Sequence, residues 1–300
     1  MKPILSPPLV SIGLVTDLHY APGVAGTRYY QDSLAKLEHA VASFDSLLLD
    51  LLINLGDSID YCASVEDEVR HFTRIRQTLS GLPVPTHILS GNHDVAELTR
   101  EQFLAQIPQR LGHSYYSFDC RDVHIILLDT NINSDGSPFS KGNFQWDDTW
   151  IGTEQFAWLR ADLAAAGDRP ALVFCHANLD DRKRPNGTVD GHIVKDAGAV
   201  RAVLERSGNV KAIISGHCHQ GGDSIIHGIP HIILRAMVEG QGLENNAYSQ
   251  LSLFADGTVS LKGFAQQPSL LFQPDGKGGV VVTDVIRSIF SIQKPTRNDQ

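Results

Sequence analysis

The stretch Thr86-His87-Ile88-Leu89-Ser90-Gly91-Asn92-His93-Asp94-Val95 decides how this chain is read. Its apolar start predicts a strand over Thr86 to Leu89, and Val95 to Gln106 has a helix-like pattern. Between them, Gly91-Asn92-His93-Asp94 sets an amide, an imidazole and a carboxylate just past a strand, where open α/β sheets keep their sites. Four other polar turns close apolar runs in the same way: Asp17-Leu18-His19, Gly56-Asp57, His176, and Gly216-His217-Cys218-His219. Singly, an Asp at a strand end is an ordinary turn residue and a His an ordinary hydrogen-bonding group. Five such turns in one chain form a constellation.

Working outward toward the N-terminus, Leu9 to Val15 and Leu51 to Leu55 read as buried strands. Apolar residues at Leu34, Leu37, Val41, Phe44 and Leu48, and at Val69, Phe72, Ile75 and Leu79, keep helical spacing. A β-α-β-α-β opening predicts parallel strands joined by right-handed crossovers. Toward the C-terminus, Tyr115 to Cys120 and Val123 to Leu128 form a hairpin about Arg121-Asp122. Helical patterns at Phe156, Leu159 and Leu163 and at Val200, Val203 and Leu204 alternate with strands Ala171 to Cys175 and Val210 to Ile214. From Ser224 the pattern is β: Ser224 to His227, Ile229 to Leu234, Tyr248 to Phe254 and Thr258 to Gly263. The expected fold class is α/β of the mixed α+β kind, two packed mixed β-sheets flanked by helices in a four-layer αββα sandwich. Residues 1–268 read as a single domain without linker or repeat, and 269–300 as a C-terminal extension holding a glycine-rich turn, Gly276 to Gly279, and a strand, Val280 to Val285. The β-rich end from Ser224 either completes the second sheet or supplies a subunit contact, which leaves a homo-oligomer open.

Composition excludes several classes. With 42% hydrophobic residues in 300, the chain can bury one large core or two modest ones. Against 34 Asp+Glu stand 25 Lys+Arg, a net charge of −9, which argues against stable nucleic-acid binding or attachment to a membrane surface. An anionic substrate must then be met by local positive charge. Cys62, Cys120, Cys175 and Cys218 lack paired spacing, so neither a disulfide framework nor a thiolate zinc site is expected, and a reducing, cytoplasmic setting fits. Met1 to Leu9 holds no apolar stretch long enough for a signal peptide or membrane span.

The residue types carry the chemistry. Asp17, His19, Asp57, Asn92, His176, His217 and His219 mix carboxylate, imidazole and carboxamide donors without thiolates, a set suited to Mn, Fe or Zn. Seven ligands exceed the needs of one ion. Two divalent ions about 3.5–4 Å apart, sharing one carboxylate, would use them, with Asp57 the candidate bridge.

These turns resemble the calcineurin-like metallophosphoesterases, whose ordered signature is DxH, GD, GNH followed by D or E, H, and GHxH. Every element is present in order between Asp17 and His219. The resemblance implies that Asp17, His19 and His219 hold one ion, that Asn92, His176 and His217 hold the other, and that Asp57 bridges them. His93, supported by Asp94, would stand beside the substrate as general acid while a hydroxide bridging the metals attacks phosphorus. Mn and Fe are the favoured ions. The implied function is metal-dependent hydrolysis of phosphoester bonds, as a phosphodiesterase or diphosphatase on a small nucleotide-like or phospho-alcohol substrate. Phosphomonoester or protein-phosphate hydrolysis is the alternative, and a protein-interaction scaffold of the same fold is the non-enzyme alternative. Arg28-Tyr29-Tyr30 before a helix and Gly221-Gly222 after His219 look like the branch with Mn-dependent ADP-ribose/CDP-alcohol diphosphatases, although that branch often has Gln where His19 stands. Related cyclic-nucleotide and glycerophosphodiester phosphodiesterases carry the full DxH.

Specificity must come from loops. Asn131 to Gly152 carries Phe139, Phe144, Trp146 and Trp150, which either form a lid that stacks on a flat leaving group or pack into a local core. Arg28, Tyr29, His192 and Trp146 are the candidate substrate contacts, and Arg182-Lys183-Arg184 either meets a second phosphate or is a solvated charge run.

Overall fold

The computed structural model of the protein describes residues 7–107 and 113–284. The sequence readings at Met1 to Ser6 and at Val285 onward lie outside these. Apolar runs become strands, the central ones buried on both faces, and they sort into two sheets.

The first sheet contains β1 (Val10–Val15), β2 (Leu51–Asn54), β3 (Thr86–Ile88), β10 (Ala247–Leu253), β11 (Val259–Ala265), β12 (Leu270–Pro274) and β13 (Val280–Asp284). Their order is β13-β12-β11-β10-β1-β2-β3, with β1, β2 and β3 parallel and the rest antiparallel. The second sheet contains β4 (Tyr116–Cys120), β5 (Val123–Leu127), β6 (Ala171–Phe174), β7 (Val210–Ser215), β8 (Gly222–Ile226) and β9 (Ile229–Ile233), in the order β4-β5-β6-β7-β9-β8. Here β5, β6, β7 and β9 are parallel, and β4 and β8 close the edges antiparallel.

The helices cover the outside. Between the sheets lies one core that includes Ile12, Leu14, Leu51 and Ile53 from the first and Ile125, Leu172, Phe174 and Ile214 from the second. A second core packs α1 (Ser33–Asp45) and α2 (Val65–Leu79) on the first sheet through Leu37, Phe44, Phe72 and Ile75. A third packs α4 (Thr153–Ala166) and α5 (Ala197–Ser207) on the second sheet through Leu159, Leu163, Val200 and Leu204. Each such side chain, wholly withdrawn from water, contributes roughly 1.5–3 kcal/mol before entropy is charged. The result is the expected helix-sheet-sheet-helix stack.

Two local expectations change. The helix-like segment after Gly91 is a single 3₁₀ turn, His93–Val95, and then a separate α3 (Arg100–Ala105). Thr99 starts α3 by a capping box with Gln102, which places a helix N-terminus in the middle of the presumed helix. The chain after Pro268, an extension in the sequence reading, joins the first sheet over its described part: β12 and β13 continue that sheet, and Leu270 and Phe272 enter the inter-sheet core. The β-rich end likewise serves both sheets, β8 and β9 in the second and β10 and β11 in the first.

Candidate active site

The turns that the sequence singles out leave the carboxyl ends of five parallel strands. Asp17 and His19 follow β1, Asp57 follows β2, Asn92 and His93 follow β3, His176 follows β6, and His217 and His219 follow β7. Asp17 (φ 50°), His19 (φ 47°), Asp57 (φ 50°) and His217 (φ 63°) adopt the left-handed conformation, which only three other non-glycine residues, Arg121, His227 and Ala265, share among those described. Asp and His tolerate that region better than most residues, and its cost persists where the surroundings fix it. They do so through backbone bonds from Asp17 N–H to the Gly56 carbonyl (3.0 Å), His19 N–H to Asp57 (2.8 Å) and Gly216 N–H to His176 (3.0 Å). Glycine is required where the turns touch: a Cβ on Gly91 would stand 2.0 Å from Asp57 Oδ1, and one on Gly216 would stand 2.1 Å from Thr16 Oγ1.

The side chains then converge. His19 Nδ1 lies 2.9 Å from Asp60 Oδ2, His219 Nδ1 lies 2.6 Å from Glu239 Oε1, and His176 Nδ1 lies 3.0 Å from the Leu55 carbonyl. With acceptors on that side, each Nδ1–H donates and each Nε2 is left to hold a cation or, in its place, a proton. Those Nε2 atoms meet other acceptors. His19 Nε2 is 3.1 Å from His219 Nε2 and 3.4 Å from Asp57 Oδ2, and His219 Nε2 is 3.6 Å from Asp17 Oδ1. On the other side His176 Nε2 is 3.1 Å from Asn92 Oδ1 and 3.3 Å from Asp57 Oδ2, and His217 Nε2 is buried without a hydrogen-bond partner. Acceptors that face one another with no proton between them are repulsive unless a cation sits there. Donor atoms fall within 4.8 Å of one another in three overlapping sets: Asp17, His19 and His219; Asp57, His176 and His217; and His19, Asp57 and His93. Oxygen and imidazole donors with Asp57 common to two sets fit a pair of borderline divalent ions.

Electrostatics show the pull of the buried carboxylates on positive charge, with a proton on His176 standing where a cation would otherwise be held. Burial would raise the Asp57 carboxyl, but His176, His19 and His93 hold it well below the usual range. Burial pulls His176 down, and Asp57 more than offsets it, leaving it at about 9. Burial, with His176 beside it, holds His217 far below the usual imidazole value. For His93 burial is outweighed by Asp57 and Asp60, so its value is raised.

The other expected residues divide. Trp146 and His192 are at the site, their rings 6.1 Å and 5.0 Å from the His217 ring and 5.3 Å from each other. Arg28 lines a cavity of about 600 Å³ that opens from His217 and His219, together with Arg182, His192 and Arg235. Tyr29 is tied by its N–H to the Val238 carbonyl and does not line that cavity. In the aromatic loop, Phe139 and Phe144 pack into the core on the first sheet, while Trp146 stays 41% exposed beside His217. Asp94 does not support His93. Its carboxylate accepts from the N–H groups of Ser58 (2.8 Å), Ile59 (3.2 Å) and Gly91 (2.8 Å), clamping two turns together. Burial and the nearby Asp57 push it up to about 7. The residue that faces His93 Nδ1 is Asp60, at 3.3 Å. Sequence reasoning passed over Asp60 and Glu239; the one signal for Asp60 was a second carboxylate three residues after Asp57 in the same turn.

Comparison with known proteins bears on this arrangement. The calcineurin-like phosphoesterase family profile matches residues 10–221. A manganese-dependent ADP-ribose/CDP-alcohol diphosphatase of Oryza sativa subsp. japonica is 26% identical over 275 residues, covering 77% of this chain and 84% of the relative. A probable cyclic nucleotide phosphodiesterase of Psychrobacter sp. (strain PRwf-1) is 22% identical over 66% of this chain and 57% of its own. The crystal structure of a dimetal phosphatase from Danio rerio shares the fold with a TM-score of 0.73 at 22% identity, covering 85% of this chain and 96% of that one. By the matched profile over more than half its length, the chain belongs to the calcineurin-like phosphoesterase family.

Proposed function

We propose that this protein hydrolyses a phosphodiester or diphosphate bond in a small nucleotide-like or phospho-alcohol substrate, with two divalent ions at the constellation. The observation that carries the reading is the convergence of His19 Nε2 and His176 Nε2 on Asp57 Oδ2, with His219 Nε2 facing His19 and Asp17 beside them, an arrangement that asks for cations. Asp17, His19 and His219 would hold one ion, Asn92, His176 and His217 the other, and Asp57 would bridge. Ions so held supply Lewis acidity toward phosphoryl oxygens and make water more acidic. Manganese is favoured, since the rice relative is named for it.

This chain's own residues do the rest. His93 sits edge-on to His19 with ring centroids 4.7 Å apart and keeps 25% of its side chain exposed, so it can meet a substrate. Asp60 takes its Nδ1–H and leaves Nε2 to carry the proton. As a water oxygen bonds to phosphorus and the bond to the leaving group breaks, that proton passes from Nε2 to the departing oxygen, a contribution of about 10²–10⁴ in rate. Trp146 and His192 stand beside His217 as a wall for the leaving group. Residues 1–268 act as one domain, to whose first sheet the following strands are added. No helix among the described residues is long and apolar enough to cross a membrane, and all four cysteines are free, in keeping with work in the cytoplasm.

The test strips the protein of metal, reloads it with Mn and compares bis(p-nitrophenyl) phosphate, p-nitrophenyl phosphate and ADP-ribose, with Asp57→Asn alongside. Turnover of the diester or ADP-ribose that falls at least a thousandfold in Asp57→Asn supports the reading. Turnover of the monoester alone moves it to a phosphomonoesterase, and no metal-dependent turnover with any of the three overturns it.

A further inference from the structure

The cavity that opens from His217 and His219 is lined by three guanidinium groups, Arg28, Arg182 and Arg235, in a chain whose net charge is −9. Its two carboxylates are already committed: Glu239 Oε1 takes the His219 Nδ1–H at 2.6 Å, and Asp190 Oδ1 takes the His192 Nδ1–H at 2.5 Å. The arginines are less engaged. Arg182 is fixed by Asp180 Oδ2 (2.8 Å) and Cys218 Sγ (3.2 Å), and Arg235 makes one bond to the Gln266 carbonyl (3.2 Å). The Arg28 guanidinium has no hydrogen-bond or ion-pair partner among the described residues, although its charge is felt by both His93 and Glu239.

The backbone makes room for this grouping. A Cβ on Gly222 would stand 3.2 Å from Arg182 Nη2, and one on Gly221 would stand 2.8 Å from Arg235 Cγ. The glycine pair after His219 thus lets two guanidinium stems pass directly over the turn that carries two of the candidate ligands. Arg182 is paired with Asp180, whereas Arg28 and Arg235 have no carboxylate within ion-pair distance among the described residues; like charges gathered with so little acidic compensation are costly in a folded protein and persist where an anion is meant to enter. Guanidinium groups match phosphate by paired N–H···O bonds, which an ammonium cannot reproduce.

We propose that Arg28, Arg182 and Arg235 form a seat for the non-reacting phosphate of a two-phosphate substrate, next to the centre that attacks the other. The chain then prefers phosphoric anhydrides flanked by organic groups over diesters that hold a single phosphorus. A lone scissile phosphate needs only the ions and His93, whereas a second phosphate, lying toward the cavity, needs positive charge of its own. This inference rests on the function proposed above.

The experiment compares wild type with Arg28→Ala, Arg28→Lys and Arg235→Ala, all Mn-loaded, on ADP-ribose and on bis(p-nitrophenyl) phosphate. The ratio of the two kcat/KM values is expected to fall at least about tenfold in Arg28→Ala, mainly through KM for ADP-ribose, with partial recovery in Arg28→Lys. Arg235→Ala should move it in the same direction. Equal losses on both substrates, or an unchanged ratio, overturn the seat. Calorimetric binding of α,β-methylene-ADP against AMP judges it without turnover: the wild type should favour the two-phosphate ligand and Arg28→Ala should lose the preference. If the wild type turns over neither substrate, the proposed function falls, and the binding preference alone decides the seat; equal affinities, or binding of neither ligand, overturn it.

Discussion

At the scale of single residues, Asp60 joins the two halves of the chemistry. One of its oxygens holds His19, a candidate ligand, and the other faces His93, the candidate acid. Asp60→Asn keeps the shape but removes the charge that orients both rings, so Mn affinity and kcat should each fall about 10–100-fold. It should also move the alkaline limb of the kcat profile. Burial lowers His93, and Asp57 and Asp60 together raise it; a proton donor works only below its pKa, so loss of the Asp60 charge should shift that limb to lower pH. A limb that stays in place would show that Asp60 acts on His19 alone. The candidate ligands were legible because each follows a strand by a fixed short step. Asp60 and Glu239 were not, since a carboxylate that orients a histidine has no fixed spacing from it: Asp60 is 41 residues from His19, and Glu239 is 20 from His219. Asp94 misled for a related reason, because adjacency to His93 in a 3₁₀ turn sends the two side chains different ways.

A second residue-scale prediction lies away from the site. His231 on β9 is buried, its Nδ1 has no hydrogen-bond partner, and burial together with Arg201 lowers it to about 4. In the unfolded chain it titrates near ~6.5, so between about 6.5 and 4 the unfolded state binds the extra proton. Stability should therefore decline as pH falls through that window, by up to about 3 kcal/mol. Denaturant unfolding of chelator-treated protein at pH 7 and pH 4.5 checks it. His231→Gln should flatten the decline, and a variant as pH-sensitive as the wild type would assign the loss to other groups.

At the scale of elements, α1 reaches the site through a lysine that stands outside its apolar row of Leu34, Leu37, Val41 and Phe44. Lys36 is fully buried, and its ammonium donates to the carbonyls of Met237 (2.9 Å), Glu239 (2.9 Å) and Gly240 (2.7 Å). That segment follows β9, accepts the Tyr29 N–H at Val238 and carries the carboxylate that holds His219. Lys36→Met leaves one buried and two partly buried carbonyls without this donor and should cost about 2–4 kcal/mol. Its functional effect should be unequal: the set Asp17, His19 and His219 depends on the segment and the set Asp57, His176 and His217 does not. A Mn titration followed by calorimetry should weaken for one ion by tenfold or more and hold for the other; equal weakening of both would reduce Lys36 to a purely structural role. Among elements, α1, α2 and the parallel strands were legible because apolar periodicity is a local signal. α3 and β12 were not: the first depends on a capping box inside an apolar run, and the second is a short strand between β11 and β13 whose apolar residues gain meaning only from the inter-sheet core.

At the scale of the molecule, the site lies across the sandwich. The turns of the first sheet supply Asp17, His19, Asp57 and Asn92, and those of the second supply His176, His217 and His219. The set Asp17, His19 and His219 and the set Asp57, His176 and His217 each take at least one donor from each sheet, so an ion bound at either of these two would tie the two halves together at the rim of their common core. Ions that bind only this assembled state stabilise it by mass action, about 2.7 kcal/mol for one site at a hundredfold excess over Kd. A domain of this size should then gain roughly 5–10 °C in Tm on Mn loading. Because neither sheet keeps its ligands without the other, the gain should come as an upward shift of one cooperative transition, rising with the logarithm of free Mn and shrinking strongly in Asp57→Asn, which weakens both sets at once. Scanning calorimetry over a range of buffered Mn concentrations measures it. Two transitions, only one of which moves with Mn, would mean that the sheets unfold separately and that the ions belong to one of them; a Tm indifferent to Mn would mean that the donors do not hold the pair of ions for which their lone pairs are arranged.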